Sequence, residues 1–102
     1  MQPRELFSRM QTKNPPIIVD VRTIFEFLRG HIPGAIHAQT WKILLRLDRI
    51  PSNRDSELVV TCEHGPRAKI VKGLLEVFGY RNVTLLEGHM NAWKHAGLPQ
   101  EK

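Results

Sequence analysis

The chain has 102 residues, enough for one compact domain and too few for two ordinary ones. Hydrophobic residues make up 41% and charged residues 25%, a globular balance that argues against a wholly disordered chain. The formal net charge is +5, but the fifteen Lys and Arg are scattered and no aromatic platform interleaves with them, which argues against nucleic acid and leaves a solvated basic surface or a domain that attracts small anions.

The first segment, Pro3 to Met10, reads as a short helix with Leu6, Phe7 and Met10 on one face, ended by Asn14-Pro15-Pro16. Ile17 to Val21 is an apolar run interrupted only by Asp20, the pattern of a strand buried on both faces. Thr23 and Glu26 form a capping box for the next helix, and Gly30 is placed to end it in a left-handed conformation. After the turn Ile32-Pro33-Gly34, Ala35 to Ala38 reads as a short strand. Thr40 is the expected cap of a third helix, with Trp41, Leu44, Leu45 and Leu47 as its buried stripe. Pro51 to Ser56 is a polar loop.

Leu58 to Thr61 is the clearest strand, and Cys62 to Pro66 is a loop containing Gly65. A helix then runs from about Arg67 to Phe78, with Ile70, Val71, Leu74, Leu75 and Phe78 facing the core and Gly79 as its stop. Val83 to Leu86 is a last strand, and His89 to Ala96 a closing helix ended by Gly97 and Pro99. Strands and helices alternate throughout. The expected fold is therefore α/β, one domain over residues 1–102 with a parallel sheet covered on both faces.

Cys62 is the single cysteine, which excludes a disulfide scaffold and a zinc site of several thiolates. The five histidines show no metal-ligand spacing. A lone thiol suits a reducing, cytoplasmic setting. The longest apolar runs fall far below the ~20 residues of a membrane span, and the N-terminus lacks the pattern of a secretory signal.

In open α/β sheets ligands bind beyond the carboxyl ends of the strands, which is where Cys62 stands. The order Thr61-Cys62-Glu63-His64-Gly65-Pro66-Arg67 takes the chain from strand through a tight loop into a helix. Amides at a helix start, closing around a sulfur, would hold it as a thiolate or hold an extra sulfur carried on it. Arg67 adds a permanent charge. A cysteine after a buried strand also serves as a small core hydrophobe. The company of Gly65, His64 and Arg67 at the catalytic edge favours a reactive thiol.

Four blocks of sequence now fall into place. They are Ile18-Val19-Asp20-Val21-Arg22 with Glu26-Phe27; Gly30-His31-Ile32-Pro33-Gly34-Ala35-Ile36; Cys62-Glu63-His64-Gly65-Pro66-Arg67; and Leu86-Glu87-Gly88 with Ala92-Trp93 and Ala96-Gly97-Leu98-Pro99. In this order the chain resembles a single-domain rhodanese, a sulfurtransferase homology domain. The resemblance implies a three-layer α/β/α fold with a small, mainly parallel sheet of four to five strands. It implies that Cys62 takes sulfane sulfur from thiosulfate, polysulfide or a persulfide and passes it to a thiol, cyanide or a protein acceptor. Glu63, His64, Gly65, Pro66 and Arg67 would form the substrate loop, supported by Asp20 and Arg22. No cofactor or metal is implied, and a monomer is expected.

Phosphatases of related fold separate Cys and Arg by five residues; here four lie between Cys62 and Arg67, a smaller ring better suited to sulfur than to phosphate. Glu63 would oppose a dianionic donor. Pro66 removes one N–H from the loop but suits the first position of a helix. His89 stands where the family often has a second glycine, and its simplest role is that of a polar residue at a helix start, with narrowing of the pocket as the alternative. Asp20, in an apolar strand, needs a partner such as Arg22. His64 is either a proton carrier or an exposed loop residue. His31 packs or hydrogen-bonds in its turn, and Trp41 and Trp93 are expected in the core. Two other readings remain beside enzyme turnover: a sulfur carrier active only with a docked partner, and an idle interaction domain.

Overall fold

The computed structural model describes residues 1–102. Its elements are α1 (Pro3–Arg9), β1 (Ile17–Asp20), α2 (Ile24–Arg29), β2 (Ile36–His37), α3 (Thr40–Leu44), β3 (Leu58–Thr61), α4 (Pro66–Val77), β4 (Val83–Leu85) and α5 (His89–His95). The four strands form one sheet in the order β2-β1-β3-β4, every neighbouring pair parallel. The α/β expectation holds, with the sheet at the smaller of the two expected sizes. β1 and β3 pair in register from Ile17 with Leu58 to Asp20 with Thr61. They are the central strands, so their side chains are buried on both faces and the runs are apolar without alternation.

The two faces are covered by different helices. Val19, Leu58 and Val60 pack with Ile43, Val71, Leu75 and Tyr80 on the side of α3 and α4. Ile18 and Val59 pack with Leu6, Leu86, Met90 and Trp93 on the side of α1 and α5. Each fully buried aliphatic side chain contributes roughly 1.5–3 kcal/mol. Trp93 is buried as expected, and its indole N–H donates to Pro99 O at 2.8 Å.

Local signals hold best where the partners are close in sequence. Thr23 Oγ1 accepts from Glu26 N, and Glu26 Oε1 accepts from Thr23 N at 3.0 Å, so the capping box is complete. His31 does both things expected of it: its ring stacks on Phe27 and its Nδ1 meets Phe27 O at 2.9 Å.

Four expectations are corrected. Gly30 ends α2, but at φ 152° and ψ 129° rather than in the left-handed helical region. The chain there straightens toward the bridge between His31 and Glu101, and a side chain at Gly30 would displace only the flexible end of Gln100. Thr40 is the first residue of α3, not its cap; Gln39 is the cap and gives no side-chain bond. The expected stripe of α3 faces solvent: Trp41 is 51% exposed, and Leu44, Leu45 and Leu47 are exposed too. The helix has only five residues before Arg46 turns at φ 55°, so the periodicity that pointed inward never develops, and Ile43 and Ile50 are buried in its place. In α4 likewise, Ala68, Val71 and Leu75 turn inward while Ile70 is exposed.

Candidate active site

β3 delivers Cys62 to the carboxyl edge of the sheet, and α4 begins four residues later with Pro66 in its first turn. Between them the chain turns at Gly65, φ 127°. That conformation suits glycine, and a Cβ there would stand 3.1 Å from His89 Nε2. The turn aims the Gly65 N–H at Cys62 Sγ, 3.0 Å away. The loop's carbonyls are taken up by the start of α5: Met90 N–H donates to Cys62 O at 3.0 Å and Asn91 N–H to Glu63 O at 3.2 Å. With the Cys62 and Glu63 carbonyls engaged by α5, the Gly65 N–H is the one amide directed at the sulfur.

The cradle is narrower than a full ring. Cys62's own N–H donates to His89 Nδ1 at 3.4 Å, not toward the sulfur. Cys62 itself is 0% exposed and packs with Val21, Ala38 and Ala68. None of the four surface hollows is lined by a residue of the loop from 62 to 67. The sulfur thus has one hydrogen-bond partner and no exposed surface, and a reagent reaches it only after the loop or its neighbours shift.

Charges fix the loop at both ends. Asp20 and Arg22 are both essentially buried, and they form a two-pronged pair: Arg22 Nε lies 3.0 Å from Oδ1 and Nη2 2.8 Å from Oδ2. Arg22 also donates to Gly30 O at 2.8 Å and to Glu63 Oε1 at 3.2 Å. Lys94 Nζ meets the same Glu63 carboxylate at 3.1 Å. Glu63 therefore does not present a bare negative charge beside the sulfur, as its position in the sequence suggested; two cations answer it. The structure brings Asp20, Arg22 and Glu63 together under the loop, and the need of Asp20 for a partner is met by Arg22.

Arg67 bonds Glu26 and makes no hydrogen bond to the sulfur. Its Nη1 and Nη2 donate to the two oxygens of Glu26 at 2.7 and 3.1 Å. The bonds from Arg67, aided by those from Thr23, hold the Glu26 carboxyl at about 2, against an ordinary 4.5, in spite of partial burial. This clamp ties the first turn of α4 to the first turn of α2. His64 points to solvent, and Pro66 occupies the first position of α4 as its missing N–H allows.

His89 is the residue whose role the sequence understated. It is buried at 6% exposure and has φ 54°, following Gly88 at φ 68°. This double left-handed step folds its ring beneath the loop instead of out from the helix start. Burial, with Lys69 and His64 nearby, pushes its pKa below the usual histidine value. The neutral ring accepts the Cys62 N–H at Nδ1, which leaves its proton on Nε2 beside Gly65. The one sequence signal was a histidine directly after the glycine that opens α5. No cluster of three or more His, Cys, Asp or Glu side chains is grouped to hold a metal ion.

Comparison with known proteins gives a consistent result. The family described as the rhodanese-like domain matches residues 2–96. A sulfurtransferase of Allochromatium vinosum is 34% identical over 94 residues, covering 92% of this chain and 86% of that protein. The thiosulfate sulfurtransferase GlpE of Haemophilus influenzae is 32% identical over 97 residues, covering 95% and 89%. The crystal structure of a rhodanese-like domain protein from Staphylococcus aureus superposes with a TM-score of 0.84 at 30% identity, covering 100% of this chain and 97% of that one.

Proposed function

The chain belongs to the rhodanese-like domain family, and on that premise we propose that it transfers sulfane sulfur through a persulfide on Cys62. The Cys62 thiolate attacks the outer sulfur of thiosulfate; the Sγ–S bond forms, the S–S bond of the donor breaks, and sulfite leaves with the bonding pair. An acceptor thiolate or cyanide then attacks that outer sulfur, and Cys62 departs as the thiolate. Neither step needs an outside oxidant or reductant. Two half-reactions on one nucleophile give ping-pong kinetics.

The observation that carries this reading is the Gly65 N–H directed at Cys62 Sγ at 3.0 Å, in a turn held by α5 and by two ion pairs. A fixed N–H dipole favours negative charge on the sulfur and on the atom it carries, without reorganisation during reaction. In this reading Cys62 is the catalytic residue, residues Glu63 to Arg67 shape the donor site, and Asp20, Arg22 and His89 position the loop. Incubation with thiosulfate or polysulfide is expected to add the mass of one sulfur to the intact protein, and Cys62→Ser to abolish the addition. A wild-type protein unchanged by every sulfane donor would refute it.

The complete burial of Cys62 favours a second reading within the same chemistry: a carrier that turns over slowly until a partner opens the loop. A stable adduct with slow release to small thiols, accelerated by a protein acceptor, distinguishes it from a free-standing enzyme.

A further inference from the structure

We propose that the face built from α2, α3 and α4 is the docking surface for an acidic protein partner that exchanges sulfur with Cys62, an inference that rests on the sulfur-transfer reading above. All nine large apolar side chains left exposed stand on these three helices or the turn that follows α3. Their restriction to these elements departs from the even scatter of single apolar residues over ordinary surfaces. Each of the three helices follows a parallel strand, so each begins at the carboxyl edge where Cys62 sits. Ile24, Phe25, Trp41 and Ile70 all lie in or next to those first turns, and Phe25 is 74% exposed.

The charge on this face selects the partner. Residues 24–29, 40–50 and 66–77 hold seven cations against three carboxylates, +4 of the chain's +5. All three carboxylates are already engaged: Glu26 by Arg67, Asp48 by Arg46 and Glu76 by Lys72. Arg29, Lys42, Arg49 and Lys69 are left without an acidic partner. Lys42 and Arg49 rim a hollow of about 430 Å³ whose other lining residues are Phe27, Ala35, Ile36 and His37. Its two cations suit a segment that carries carboxylates. A second copy of this chain would bring +4 against +4, and nucleic acid has no use for so much apolar surface. A protein thiol presented on an acidic, apolar segment satisfies both features, and it must come to this edge because Cys62 is buried.

The test uses two labelled peptides, each with serine between leucines, one flanked by glutamates and the other by lysines. Fluorescence anisotropy with the intact protein at low salt is expected to show the acidic peptide binding at least tenfold tighter. The advantage should collapse near 0.5 M salt. Lys42→Glu with Arg49→Glu should weaken the acidic peptide about tenfold, and Phe25→Ser or Trp41→Ser should weaken it without changing sulfur release to dithiothreitol. Trp41 also reports binding directly, since the other tryptophan, Trp93, is fully buried. Equal binding of the two peptides, or indifference to these substitutions, overturns the proposal. Tighter retention on phosphatidylserine vesicles, or dimerisation that covers Trp41, overturns it in favour of lipid or of a second copy. A protein that binds the acidic peptide but never loads sulfur upholds the surface and defeats the sulfur-transfer reading; normal loading with equal peptide binding does the reverse.

Discussion

Replacing Glu26 by Gln removes one negative charge from the clamp between α2 and α4 and keeps the shape of the side chain. Glu26 takes both Arg67 N–H groups and both Thr23 donors. Its carboxyl titrates at about 2 instead of 4.5, which corresponds to roughly 3 kcal/mol of pH-linked stability. The two side chains are 28% and 40% exposed, so solvent screening reduces the usable part to about 1–2 kcal/mol. The folded value lies below the unfolded one, so this stability is present in full above about pH 4.5 and is lost as pH falls toward 2. Urea denaturation at pH 7 should find Glu26→Gln less stable by about 1–2 kcal/mol, with the gap narrowing steadily from pH 5 to pH 3. The freed Arg67 guanidinium should also lower KM for thiosulfate several-fold, because it no longer has a carboxylate to hold. Equal stability at pH 7, or a gap that persists undiminished at pH 3, would refute the account of the clamp.

Three further outcomes are expected. Asp20→Asn leaves the buried Arg22 guanidinium with Glu63 as its only carboxylate and should cost about 3–5 kcal/mol in urea denaturation, whereas Asp20→Leu combined with Arg22→Met should recover most of it; a single-variant cost below about 1 kcal/mol contradicts the buried pair. Glu63→Gln leaves Lys94 without its carboxylate and Arg22 paired with Asp20 alone, so KM for thiosulfate should fall roughly three- to tenfold with an uncharged persulfide donor unaffected; steady-state kinetics with both donors decides it. His89 has a folded pKa below its ordinary value, so the unfolded chain binds the proton more readily and wild-type stability should decline as pH falls below about 6.5. His89→Asn, which keeps an acceptor for the Cys62 N–H, should flatten that decline in denaturation curves between pH 7 and pH 5, and an unchanged slope would show that His89 is not the titrating group.

Much of this molecule was determined by the sequence alone. Element order, the capping box of Thr23 and Glu26, and the strand–loop–helix around Cys62 all rest on interactions between residues a few positions apart. The need of Asp20 for Arg22 is of the same kind, since only two positions separate them. The tertiary structure decided the rest. Five residues of α3 were too few to dictate which side would be covered, and Trp41 was left outside once Ile43 and Ile50 were taken into the core. Glu63 is neutralised by Arg22 and Lys94, 41 and 31 positions away, and Arg67 is drawn to Glu26 across 41. His89 reaches Cys62 only because the sheet sets the start of α5 beneath the loop. Caps and periodicity are local and can be read along the chain; the pairing of charges and the burial of a ring depend on which distant segments the fold brings within a few ångströms of each other.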